Sequence, residues 1–128
     1  MSIHIEVSFG ELIDKITILE IKQERVLEAA KTINIERELA VLNQAWCDCN
    51  VDHENVNEQR IQLKSINVTL WGIEDEIRRK EAAQVFDTDF IDLARSVYRT
   101  NDERSLVKRK INERLGSALV EEKSYQPY

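Results

Sequence analysis

Residues 7–26 read VSFGELIDKITILEIKQERV, and this stretch sets the expected fold class. Ser8 is followed three residues later by Glu11, which is capping-box spacing. In that motif the Ser hydroxyl accepts from the third helical N–H and the Glu carboxylate reaches back to the cap. Val7 and Leu12 occupy the positions of a hydrophobic staple. Leu12, Ile16, Leu19, Gln23, Val26, Ala30 and Ile33 then recur at alternating four and three spacing, one face of a helix. Ile13, Ile18 and Ile21 widen the stripe, so the helix is expected to touch more than one neighbour. Isoleucine is only a fair helix former, so packing has to hold this segment. The expected helix covers residues 8–30.

Composition supports the same class. The chain has 128 residues, three Gly and one Pro, the Pro at position 127, and 33% charged residues. That reads as a single helical domain, residues 1–128, with no interior helix breaker. No apolar run approaches the ~18 residues of a membrane span. MSIHIEV has neither a basic region nor an apolar signal core, so the expectation is a cytoplasmic chain without membrane contact.

Ile3, Ile5 and Val7 alternate with His4 and Glu6, the pattern of a minor N-terminal strand. Downstream of Asn34, Ile35, Leu39, Leu42, Trp46 and Cys49 continue a helical stripe. That leaves either one kinked helix to about residue 47 or two abutting helices. CDCNVDHENV, residues 47–56, breaks the periodicity. Val56, Leu63, Ile66, Leu70, Ile73 and Ile77 then mark a second long helix to about Ala83. The short connection predicts an antiparallel hairpin of long helices. FDTDF starts a short helix, Thr100-Asn101-Asp102 restarts the chain, and Gly116 is placed to end the last helix. The expected fold is all-α: an antiparallel long-helix hairpin, two shorter C-terminal helices and the minor strand.

The net charge of −6 is uneven. Residues 95–114 hold seven bases and three acids, a local +4 that leaves −10 for the rest. Such a segment meets either the chain's own acidic face or an anion. Inside the first helix, Asp14, Lys15, Lys22 and Arg25 ride an apolar framework. If the helix is covered on two sides, these charges require partners. Glu20, Glu24, Arg95, Arg99 and Asp102 are the candidates. The set forms either an ion-pair seam or a pocket for a carboxylate or phosphate. The candidate ligand-binding residues are therefore Asp14, Lys15, Lys22, Arg25, Arg95, Tyr98, Arg99, Asp102, Arg104 and Lys108.

Other chemistry finds little support. Cys47, Cys49 and His53 lack the second ligand pair of a zinc site, so no metal is expected. No Gly-rich phosphate loop or nucleophile elbow is present, and no cofactor is expected. The basic stretch lacks the aromatic interleaving of single-strand binders, which disfavours nucleic acid.

VSFGELIDKITILEIKQERV, FIDLARSVYRTNDERSLVKRKIN and GSALVEEKSYQPY together resemble a bacterial and phage domain family of unknown function. The resemblance covers essentially the whole chain, with no block in residues 30–80. It implies an all-helical domain, found alone or joined to glycosyltransferase and surface-polysaccharide modules, with no established activity. The matching polar positions are Glu11, Asp14, Lys15, Lys22, Glu24, Arg25, Arg95, Tyr98, Asn101, Asp102, Arg104, Lys108, Arg109, Asn112, Glu121, Glu122, Lys123 and Tyr125. IDKITILEIKQER also resembles the first helix of the helical chorismate mutases. The Arg expected two turns before its Asp is absent, and Glu36 stands where a Lys is expected, which argues against that activity.

The functional expectation is a non-enzymatic helical interaction or accessory module, linked through the resemblance to surface-polysaccharide biosynthesis. Wide stripes in a small helical chain further suggest a homodimer. The alternatives are an anionic small-molecule enzyme or sensor, built between helix 8–30 and residues 95–125, and nucleic-acid binding through 95–114.

Overall fold

Ser8 starts the first helix as the cap spacing requires: its hydroxyl accepts from the Glu11 N–H at 3.1 Å. The Glu11 carboxylate does not return to the cap; it turns to Lys108 and Lys15. A computed structural model describes residues 1–128 as four α-helices and a short 3-10 turn, without strands. The helices are α1 (Phe9–Arg25), α2 (Ala29–Asp48), α3 (Asn57–Ala82) and α4 (Thr88–Leu115), with the 3-10 turn at His53–Val56.

Three expectations are corrected. Residues 2–7 form no strand, and Ile3 and Ile5 are exposed; an isolated run of six residues finds no second strand to bond. The first helix ends at Arg25, not at residue 30, because Val26 is extended. The next helix passes through Asn34 without a break. One straight helix over 9–48 would run roughly 60 Å at ~1.5 Å per residue, far beyond α4, so the stripe of Ile35, Leu39 and Trp46 folds back onto α1. Last, residues 88–115 form one helix rather than two. Thr100 is buried, and Asn101 and Asp102 bond sideways to Arg104, Lys123 and Tyr128, so their side chains do not cap a break.

The hairpin expected across the 47–56 turn is not formed, because α2 folds back on α1 and packs on no other helix; the antiparallel long pair is instead α3 with α4. Lys80 meets Asp87 across their turn, and Asn55 meets Arg114 at the opposite end. Gly116 ends α4 in the left-handed region at φ 65°, with the Ser117 N–H on the Asn112 carbonyl at 2.8 Å. Helix α1 packs on α2, α3 and α4 at once, and eight of its 17 residues are buried, which makes it the central element. The wide stripe read from its sequence is what three-sided burial demands. Ile13, Ile16, Leu63 and Ile111 are fully enclosed in the shared core, which Leu12, Leu19, Ile35, Leu39, Trp46 and Val56 complete. Each such side chain contributes about 1.5–3 kcal/mol by transfer from water. Helix α2 packs against no helix other than α1.

Candidate functional site

The contacts of α1 step down α4: Gly10 to Asn112, Glu11 to Lys108, Asp14 to Arg104. The two helices are therefore antiparallel and very close. A Cβ on Gly10 would lie 2.5 Å from the Lys108 carbonyl oxygen, so only glycine admits this approach. The Gly10 N–H, unpaired within its own first turn, donates instead to Asn112 Oδ1 at 2.7 Å.

Asp14 is 1% exposed, and a buried carboxylate requires partners. Arg104 supplies a two-pronged contact, with Nε on Oδ1 at 2.9 Å and Nη2 on Oδ2. Asn67 Nδ2 donates to Oδ1 at 2.9 Å and to the Thr17 hydroxyl at 3.0 Å, and Thr17 donates to the Asp14 carbonyl. Lys108 lies 4.0 Å from Asp14, 2.7 Å from Glu11 and 3.1 Å from Glu121. The hydrogen bond to Asp14 raises the Arg104 pKa above its ordinary value, although burial opposes it. Burial pushes Lys108 down, but the bonds to Glu11 and Glu121 overcome it and the net shift is upward. Both cations are thereby fixed as cations, each already neutralised.

Above this network, α4 and segment 117–128 enclose an open groove of about 1360 Å³. Tyr98, Asn101, Ser105 and Lys108 are on its helix side, Lys123, Tyr125 and Tyr128 on its far side. Asp102 accepts from Lys123 and from the Tyr128 hydroxyl, each at 2.5 Å; these bonds, Lys123 first, hold its pKa below the ordinary value.

The expected site residues are only partly gathered. Asp14, Arg104 and Lys108 form one network, and Tyr98 and Asp102 line the groove beside it. Arg99 lies over the Tyr128 ring at 5.9 Å. Arg25 lies over Trp71 at 5.9 Å, on the α3 side. Lys15 is exposed beside Glu11, Lys22 is half-buried in the last turn of α1, and Arg95 is exposed. Glu20 and Glu24 pair with Arg60 and Lys64 of α3 rather than within α1. Thr17, Asn67 and Tyr128 were absent from the expected set. Asn67 carries a legible signal, a polar residue in register with Leu63 and Leu70 on an apolar face. Cys47 is exposed, and the His53 ring stacks on Trp46 at 4.3 Å. No three His, Cys, Asp or Glu side chains converge as metal ligands. No helix is long and apolar enough to cross a membrane.

No curated protein and no solved structure matches the chain. The profile of one family matches residues 3–128, and the chain therefore belongs to that family, described as a family of unknown function (DUF6165).

Proposed function

We propose that the chain is a non-enzymatic helical interaction module whose recognition surface is the groove between α4 and segment 117–128. Charge cancellation supports this reading. A site built for an anion offers uncommitted cations. Here Arg104, Lys108 and Lys123 face Glu11, Asp102, Glu121 and Glu122 in the same groove, three bases against four acids. Ser105 and Ser124 line it without a histidine beside them, so the pairing that activates a hydroxyl nucleophile is missing.

The alternative readings draw less support. Arg25 and Arg99, the centre of an anion pocket, stack on separate aromatic rings. Along residues 95–114, Arg109 pairs with Glu122 and Glu113, and Arg114 donates to the Asn55 carbonyl, which interrupts a continuous cationic strip for nucleic acid. The proposal includes a cytoplasmic homodimer, supported by the exposed apolar side chains Leu27, just before α2, and Ile33 and Val41 on α2, a helix with α1 as its single helix partner. A place in surface-polysaccharide assembly belongs to the proposal and rests on the family resemblance.

Titration at low salt with inorganic phosphate and with a random oligonucleotide tests the reading. We expect no change in Tm beyond that of chloride at equal ionic strength, and no oligonucleotide retention. Saturable stabilisation by phosphate would return the site to the anion class. Sedimentation should show a dimer at micromolar concentration, and a monomer throughout that range would remove the dimer from the proposal.

A further inference from the structure

Segment 117–128 has no helix or strand, yet it is tied along α4 from both ends. Glu121 meets Lys108 at 3.1 Å, and Glu122 takes two bonds from Arg109 at 3.2 and 3.3 Å. Lys123 reaches Asp102 at 2.5 Å and Ser105 at 3.4 Å. Tyr128 bonds to Asp102, meets Tyr98 edge-on at 5.0 Å and lies under Arg99. The segment therefore runs antiparallel to α4, acids over Lys108 and Arg109, tyrosine over Tyr98 and Asp102.

This attachment rests on exposed contacts. The side chains of Glu121 and Glu122 are 68% and 73% exposed, and ion pairs of that kind are individually weak and screened by salt. No buried apolar anchor backs them, since Leu119, Val120 and Tyr125 are exposed. The groove beneath stays open.

Lifting the segment has a specific chemical result. Lys108 and Arg109 lose the carboxylates of Glu121 and Glu122, and Asp102 loses both donors. The vacated face then has Lys108 and Arg109 at one end, each keeping a single close carboxylate (Glu11 and Glu113), and Asp102 without its two donors at the other, about 10 Å away along the helix at ~1.5 Å per residue. A simple anion satisfies one end and is repelled by the other. A peptide with acidic residues followed by a base and a tyrosine satisfies both.

We propose that the face of α4 beneath segment 117–128 is a docking site for an acidic, tyrosine-bearing linear segment of a partner protein, and that segment 117–128 covers that face in cis as a displaceable strap. The proposal rests on the interaction-module reading and names its partner class. Because the strap is tethered, it competes at high effective concentration, so the partner binds far better once the strap is lifted.

The test uses the full chain carrying Glu121→Gln and Glu122→Gln together, which removes the two carboxylates without adding cations. Both residues are exposed, so the helical signal should stay that of the parent. The probe is a fluorescent peptide of residues 119–128, LVEEKSYQPY, followed by anisotropy. We expect the variant to bind it at least tenfold more tightly than the parent, weakening with added salt, and to reject the same peptide with its two glutamates changed to lysine. Backbone 15N order parameters across 119–128 should be lower in the variant than in the parent. Failure of the variant to bind, equal binding of both peptides, or equal order parameters in the two chains would each overturn the strap. A parent dimer that this variant abolishes would overturn the external partner and assign the groove to a second copy. Loss of peptide binding with phosphate still inert defeats the docking site alone; saturable phosphate binding to the variant defeats the interaction-module reading as well.

Discussion

At the scale of single residues, Asp14 carries the most consequence. It is 1% exposed and accepts from Arg104 and Asn67 while Lys108 stands 4.0 Å away. Asp14→Ala leaves these donors without their acceptor in a region poor in water. Removing one member of a buried pair costs about 3–5 kcal/mol. Chemical denaturation should show that loss as a lower midpoint at nearly unchanged slope; a change under about 1 kcal/mol would mean that water re-solvates Arg104 freely. The same residue shows how far sequence reading reaches. An aspartate on an apolar helix announces that it must be paired, but Arg104 is 90 positions away and only the packing of α1 on α4 selects it over Arg95 or Arg99.

At the scale of elements, the helices are unequally held. Helix α1 is covered from three directions, whereas α2 docks on α1 alone among the helices and is fixed at its far end by Trp46 stacked on His53. Trp46 is 7% exposed, and its replacement by alanine should cost about 3–5 kcal/mol. Because α3 and α4 bond to each other at both ends, the damage should start locally. Hydrogen exchange in Trp46→Ala should accelerate across α2 before α3 and α4; uniform acceleration would show that α2 opens only with the whole chain. The element boundaries explain themselves in the same terms. Caps at Ser8 and Asp87 and the glycine stop at 116 are local and were legible. The turn at 26–28 carries no breaker residue and follows from where the stripes of α1 and α2 bury, so periodicity alone ran across it.

At the scale of the molecule, the strap couples the end of the chain to pH. The bonds from Lys123 and Tyr128 lower the pKa of Asp102 from its ordinary 3.8. A lowered carboxylate favours the docked state in full above that ordinary value and loses its effect as pH falls through the lowered one. Backbone 15N order parameters at 119–128 should therefore show stable docking from neutral pH down to about 4 and release below it. Release already at pH 6 would point to a different group. Two aspects of this protein were determined by sequence alone: its helical class and the identity of its central helix. Both follow from short-range effects, namely caps, period and the width of an apolar stripe. Which polar groups meet was decided only by the tertiary structure. Asn67 of α3, 53 positions from Asp14 in sequence, completes the Asp14 network. Segment 117–128 closes over Lys108 and Arg109, whose partner the sequence left open between the chain's own acids and an outside anion. Charge pairing acts through space over a few ångströms, and a linear sequence does not carry that distance until α1 has packed against α4.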